Sequence, residues 1–180
     1  MADGTALDRA LGLVREVPDF PEPGVLFRDL SPVLADAAGF RAVTDAFAAA
    51  LPSGAGAVDT VVAIEARGFL FGAALATAAG LGLVAVRKPG KLPAVADRVT
   101  YDLEYGSATL ELPADTLAPG SRVVIVDDVL ATGGTVEAAA GLVERAGATT
   151  AVVAVVVELT ALGGRSRLPG GADFVSLLSV

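Results

Sequence analysis

Cysteine, histidine and tryptophan are absent from this 180-residue chain, and methionine occurs once. Without cysteine there are no disulfides and no thiolate metal sites, which fits a cytoplasmic protein. Without histidine, Ser-His-Asp and Cys-His catalysis are excluded, and acid–base work falls to carboxylates, Lys, Arg and Tyr. Cations are scarce: 13 Lys and Arg stand against 21 Asp and Glu, a net charge of −8. That balance argues against nucleic acid as a partner, and any anionic substrate must be met by a local cluster of positive charge. Although 53% of the residues are apolar, no uncharged apolar run reaches about 18 residues, so no membrane span is expected. The opening MADGTALDRA carries acids early and lacks the basic-then-apolar layout of a secretory leader.

The most informative stretch is Arg122 to Thr135, RVVIVDDVLATGGT. Val123, Val124, Ile125 and Val126 form a continuous β-branched run, the pattern of a strand buried on both faces. Asp127 and Asp128 follow where that strand is expected to end. Ala131, Thr132, Gly133, Gly134 and Thr135 then lead into an Ala-rich helical pattern. Backbone N–H groups freed at a loop and helix start, with glycines that let a ligand approach, make an anion site. Two acids beside it would repel a bare phosphate, so they suit neutral hydroxyls or a cation next to that phosphate. A sugar phosphate meets both demands. A buried strand with an Asp cap and a glycine turn would give a similar pattern.

The remaining chain reads as alternating helices and strands. An amphipathic helix is expected over about Ala6–Glu16, with Thr5 and Asp8 as a capping pair. Pro21, Pro23 and Gly24 punctuate the next segment, and Val25–Leu30 should be extended. Phe40, Val43, Phe47 and Leu51 mark a helix over Ala37–Leu51. Thr60–Ile64 is a buried strand ending in Glu65-Ala66-Arg67-Gly68, a helix should start near Phe69, and Gly82–Val86 is another strand. A charged strand end before a helix lies where open α/β sheets bind ligands. In Arg87–Pro93, Pro89 and Gly90 break any helix around Arg87, Lys88 and Lys91, a basic cluster in an acidic chain. Thr100–Leu112 suggests a hairpin turning near Gly106, with Glu104 and Tyr105 near its tip. A helix over Thr135–Ala146 and a strand over Thr150–Leu159 complete a βαβ crossover. Asp173–Val180 is a last apolar segment. Neither G-x-x-x-x-G-K-[ST] nor a full dinucleotide-binding glycine fingerprint occurs.

The string of hydrophobic strand, acid pair and Ala-Thr-Gly-Gly-Thr closely resembles the phosphoribosyl-pyrophosphate signature of the type I phosphoribosyltransferases. The segments DFPEPGVLFRDL, EARG, RKPGK, TYDLEYG and LGG extend that resemblance to the adenine phosphoribosyltransferases, over roughly residues 7 to 178. It implies an α/β fold with an open, mainly parallel sheet flanked by helices, in one domain over residues 1–180. The implied parts are an N-terminal base-binding hood (about 1–35), a core (about 36–180) and a mobile loop (about 88–106). The implied activity is transfer of phosphoribose to N9 of adenine, giving AMP and pyrophosphate in purine salvage. Asp127 and Asp128 would hold the ribose hydroxyls, and Ala131 to Thr135 the 5′-phosphate. Arg67 would grip pyrophosphate, and Arg87, Lys88 and Lys91 would help neutralise it, in part across a homodimer interface. Arg67 would act with its neighbouring backbone, often through a non-proline cis peptide. Phe27 would stack on adenine beside Leu26, the backbone around Arg28 would read the base edge, and Leu162 would cover the other face. Glu104 and Tyr105 would act over the purine ring. Mg²⁺ is expected as cofactor, held mainly by the substrate with no protein cage. A phosphoribosyltransferase for another base and a non-catalytic sensor of phosphoribosyl pyrophosphate are the alternatives.

Overall fold

The computed structural model describes residues 5–54, 57–102 and 106–180. Among these, five strands form a parallel sheet: β3 (Thr60–Ile64), β4 (Gly82–Val86), β7 (Arg122–Leu130), β8 (Thr149–Glu158) and β9 (Asp173–Ser179), in the order β4-β3-β7-β8-β9. From β3 the chain steps outward to β4, whereas from β7 it steps the other way through β8 to β9. The order therefore reverses between β3 and β7, and the crevice beyond the strand ends there is where such sheets take ligands.

Both faces of the central strands are covered, which is why β3, β7 and β8 read as near-continuous apolar runs. On one face Val62, Ile64, Val123, Ile125 and Val153 pack against Ala139, Leu142 and Val143 of α5 (Gly134–Arg145). An antiparallel ribbon of β5 (Val95–Asp102) and β6 (Ser107–Pro113) adds Leu110 and Leu112 to the same cluster. On the other face Val61, Val124, Val126 and Val152 meet α3 (Ala37–Ala50) and α4 (Gly68–Ala79) through Val43, Phe47, Phe71 and Leu75. The N-terminal segment adds α1 (Ala6–Leu11), the hairpin β1 (Arg15–Pro18) with β2 (Leu26–Asp29), and α2 (Ser31–Ala35).

Several boundaries differ from the sequence reading. The first helix is properly capped, since Thr5 and Asp8 form a capping box, but it stops at Leu11, at Gly12. Arg15 and Glu16, expected in that helix, are instead strand residues opposite Asp29 and Arg28, and their side chains pair with those partners. The ribbon begins at Val95, before the expected hairpin start at Thr100, because residues 95–99 pair with Leu110–Pro113. Part of the segment expected as a mobile loop is thus strand. β7 runs on to Leu130, since Asp127, Val129 and Leu130 pair with Val155, Val157 and Glu158. Asp127 and Asp128 lie within the strand.

Helix α4 approaches β3 closely enough that a Cβ built on Gly72 would lie 2.6 Å from the Cβ of Ala63. Gly72→Ala gains helix propensity of up to about 1 kcal/mol, but the clash is with a rigid neighbour on a buried strand. We expect a net loss of roughly 1–2 kcal/mol of unfolding free energy. Urea denaturation at unchanged m-value measures it, and an equally stable variant would mean that α4 shifts freely on the sheet.

Candidate functional site

The site forms where β3 and β7 end side by side. After Ile64 the chain turns through Glu65, a cis Glu65–Ala66 bond and Arg67 into α4. A Cβ on Gly68 would lie 2.7 Å from the Val126 carbonyl oxygen and 3.0 Å from Asp127 Oδ1. The absence of a side chain there brings the start of α4 against the acid pair. Arg67 Nε donates to Asp128 Oδ2, and the guanidinium carbon sits 5.3 Å from the centroid of the Phe27 ring. Phe27 in turn meets Phe20 edge-on at 5.1 Å. One arginine therefore touches both the acid pair and the N-terminal hairpin.

Asp128 is buried and Asp127 is half-buried. Asp127 Oδ1 accepts the Asp128 N–H at 2.8 Å. Desolvation, then the adjacent charge of Asp128, hold the Asp127 carboxyl well above its ordinary value of 3.8, and Arg67 only partly offsets them.

Glu65, which sequence reasoning noted without assigning a role, organises the basic loop. Its carboxylate accepts the Lys88 N–H at 2.9 Å and lies 3.5 Å from both Arg87 Nε and Lys91 Nζ. Burial alone would raise its pKa, but the Lys88 N–H, Lys91 and Arg87 outweigh burial and bring it below 4.5. Arg87 also lies over the Phe69 ring at 5.7 Å. The signal in the sequence was a carboxylate two residues before Arg67, in a chain with few cations for it to hold.

The glycine loop is walled by backbone. Gly133 adopts φ 85°, in the left-handed region, and precedes the first turn of α5, which no side chain caps. A pocket of about 60 Å³ is lined by Val129 to Val136. Gly164 packs tightly against this loop: a Cβ there would meet the Ala131 carbonyl oxygen at 2.3 Å, and one on Gly133 would meet the Gly164 carbonyl oxygen at 2.5 Å. Arg165 ties this turn to buried Glu158, Nη2 donating to Oε2 at 2.6 Å. Sequence reasoning took only Leu162 from this segment. The second glycine of LGG was the signal that it touches the signature loop.

Of the remaining predicted site residues, Leu26 on β2 and Leu162 in the turn after β8 are exposed apolar side chains. The side chain of Arg28 is engaged by Glu16. Lys88 and Lys91 are exposed next to Glu65. Glu104 and Tyr105 lie outside the described residues.

A doubly wound sheet with an acid pair, an arginine and a glycine loop at its switch point defines a ligand-binding class of α/β protein. The phosphoribosyl transferase domain family matches residues 31–175. An adenine phosphoribosyltransferase of Saccharopolyspora erythraea is 63% identical over 163 residues, covering 91% of this chain and 87% of the relative. The structure of adenine phosphoribosyltransferase from Thermoanaerobacter pseudethanolicus superposes with a TM-score of 0.91 at 48% identity, covering 97% of this chain and 99% of that one. The Saccharomyces cerevisiae enzyme, complexed with D-2,5-dideoxy-2,5-imino-altritol 1,6-bisphosphate and adenine, superposes with a TM-score of 0.89 at 40% identity, covering 96% and 98%. The chain belongs to the phosphoribosyl transferase family and, within it, to the adenine phosphoribosyltransferases.

The raised pKa of Asp127 has a stability consequence. The fold favours its neutral form, so its contribution is fully present below the ordinary value of 3.8 and is lost as pH rises through the higher folded value. At pH 7, above the ordinary value, that contribution is diminished. Asp127→Asn keeps Oδ1 as acceptor and removes the charge, and should raise Tm at pH 7 by about 2–4 °C, the scale of roughly 1 kcal/mol in a chain of this size. The gain should vanish near pH 4. A Tm difference independent of pH would mean that the two carboxylates do not oppose each other.

Proposed function

We propose that this chain transfers the phosphoribosyl group of phosphoribosyl pyrophosphate to N9 of adenine, giving AMP and pyrophosphate, as a purine-salvage enzyme. The observation that carries the reading is the contact of Arg67 with Asp128 across the switch point. It joins a cation suited to a leaving diphosphate to an acid suited to ribose. The yeast relative's adenine and sugar-like bisphosphate support the same pair of subsites.

In this reading Ala131 to Thr135 bind the 5′-phosphate through the uncapped start of α5 and the two threonine hydroxyls. Arg67, Arg87, Lys88 and Lys91 receive the diphosphate, Arg87 and Lys91 leaving Glu65 for it. As the C1′–O bond breaks, its electron pair departs on pyrophosphate and positive charge develops on the ribose ring. Asp127 and Asp128 stabilise that charge more than the neutral ring of the ground state, which makes their contribution catalytic. Phe27 stacks on adenine, with Leu26 beside it and Leu162 on the opposite face, and the backbone around Arg28 reads the base edge. Adenine bound with its proton on N7 presents the N9 lone pair to C1′. Glu104 takes the N7 proton as the new bond forms, while Tyr105 closes over the site and excludes water.

Among the described residues no group of three or more His, Cys, Asp or Glu could hold a metal ion. Two carboxylates, one of them engaged by Arg67, fit a cation that arrives on the substrate. Mg²⁺ carried on the diphosphate would neutralise the leaving group. No helix of the described residues is long and apolar enough to cross a membrane. A cytoplasmic homodimer is the form we propose, its basic loop completed in part by the partner subunit.

Pyrophosphate release, measured with phosphoribosyl pyrophosphate and Mg²⁺, should require adenine over guanine, hypoxanthine and orotate, and should stop with excess chelator. Release with any of the other bases at the adenine rate would sink the assignment. Glu104→Gln should bind adenine nearly as well and turn over roughly 10²–10⁴-fold more slowly. Asp127→Asn with Asp128→Asn should lower kcat by about 10²–10³-fold. A rise in KM alone would give the acids a role in uniform binding.

A further inference from the structure

Tyr101 lies on β5, half-buried against the cluster that includes Leu110, Val136 and Leu142. Its hydroxyl oxygen is 3.1 Å from Oγ1 of Thr135, the last hydroxyl of the glycine loop. Threonines within helices of this protein usually turn that group back onto their own helix: Thr44 donates to the Phe40 carbonyl at 2.8 Å and Thr77 to Ala73 at 2.9 Å. Thr135, in the first turn of α5, has no preceding helical turn to bond and meets Tyr101 of β5 instead.

The direction of this bond follows from proton counting. Each hydroxyl has one proton to donate and lone pairs to accept. A phosphate dianion only accepts, so a Thr135 that binds phosphate spends its proton there. Tyr101 must then donate to Thr135 Oγ1, and a donor behind a hydroxyl strengthens the bond that hydroxyl makes in front. We propose that Tyr101 is a positioning residue for the 5′-phosphate. It fixes the Thr135 hydroxyl with its proton aimed into the loop and polarises it towards the anion. The inference rests on residues 131–135 being the phosphate loop. It also joins that loop to β5, three residues before Glu104 along the chain.

Calorimetric titration of the full chain with AMP, adenosine and pyrophosphate (with Mg²⁺) tests this. Tyr101→Phe keeps the ring and its packing. It should weaken AMP about 5–10-fold, the scale of losing one hydrogen bond that supports a charged one, while adenosine and pyrophosphate bind as before. Thr135→Val should weaken AMP at least as much, and adding Tyr101→Phe to it should have no further effect. Equal weakening of AMP and adenosine, an unchanged AMP affinity, or additive effects in the double variant would each overturn the positioning role. A wild-type chain that binds AMP no better than adenosine would instead overturn the phosphate loop itself.

Discussion

Two neighbouring carboxylates on a buried strand are the constraint around which this site is arranged. Asp127 and Asp128 repel each other, and partial burial makes the repulsion worse. The fold answers with Arg67 on one acid and the Asp128 amide on the other. Arg67 can reach because α4 starts against β7 without a side chain at Gly68. The sheet order sets the same requirement at a larger scale, since only a reversal between β3 and β7 leaves their ends open to one ligand. Electrostatics, a missing methyl group and topology thus converge on one contact.

Charge scarcity elsewhere has a similar logic. In a chain of net charge −8, three cations beside one another would draw on any passing anion. Glu65 holds Arg87 and Lys91 by their side chains and Lys88 by its backbone. The protein therefore carries these cations already matched to an internal anion. A ligand with more negative charge can displace one carboxylate, while a weakly charged one gains little by doing so.

The parallel core was legible in the sequence because period and composition agreed there. Thr60–Ile64 and Gly82–Val86 coincide with their strands, and the βαβ crossover stands as read. Errors arose where local pattern yields to pairing. Arg15 and Glu16 fit a helical stripe, yet cross-strand charges at Asp29 and Arg28 hold them extended. Asp127 and Asp128 resemble a loop start, yet β8 is long enough to keep them in register. Motifs located the acid pair, Arg67 and the glycine loop. The contacts of Glu65, Tyr101 and Gly164 were not legible because they reach residues 23, 34 and 31 positions away, and spacing along the chain does not encode that.

The wall between Gly133 and Gly164 bears on how tightly this loop can hold a ligand. Backbone meets backbone there, with carbonyl oxygens where side chains would otherwise stand. Side chains at a binding surface lose rotamer freedom when a ligand fixes them, at about 0.5–1.5 kcal/mol for each flexible one. A wall of glycines has no rotamers to freeze. That part of the loop surrendered its entropy during folding, so a contact made there would cost no further side-chain ordering.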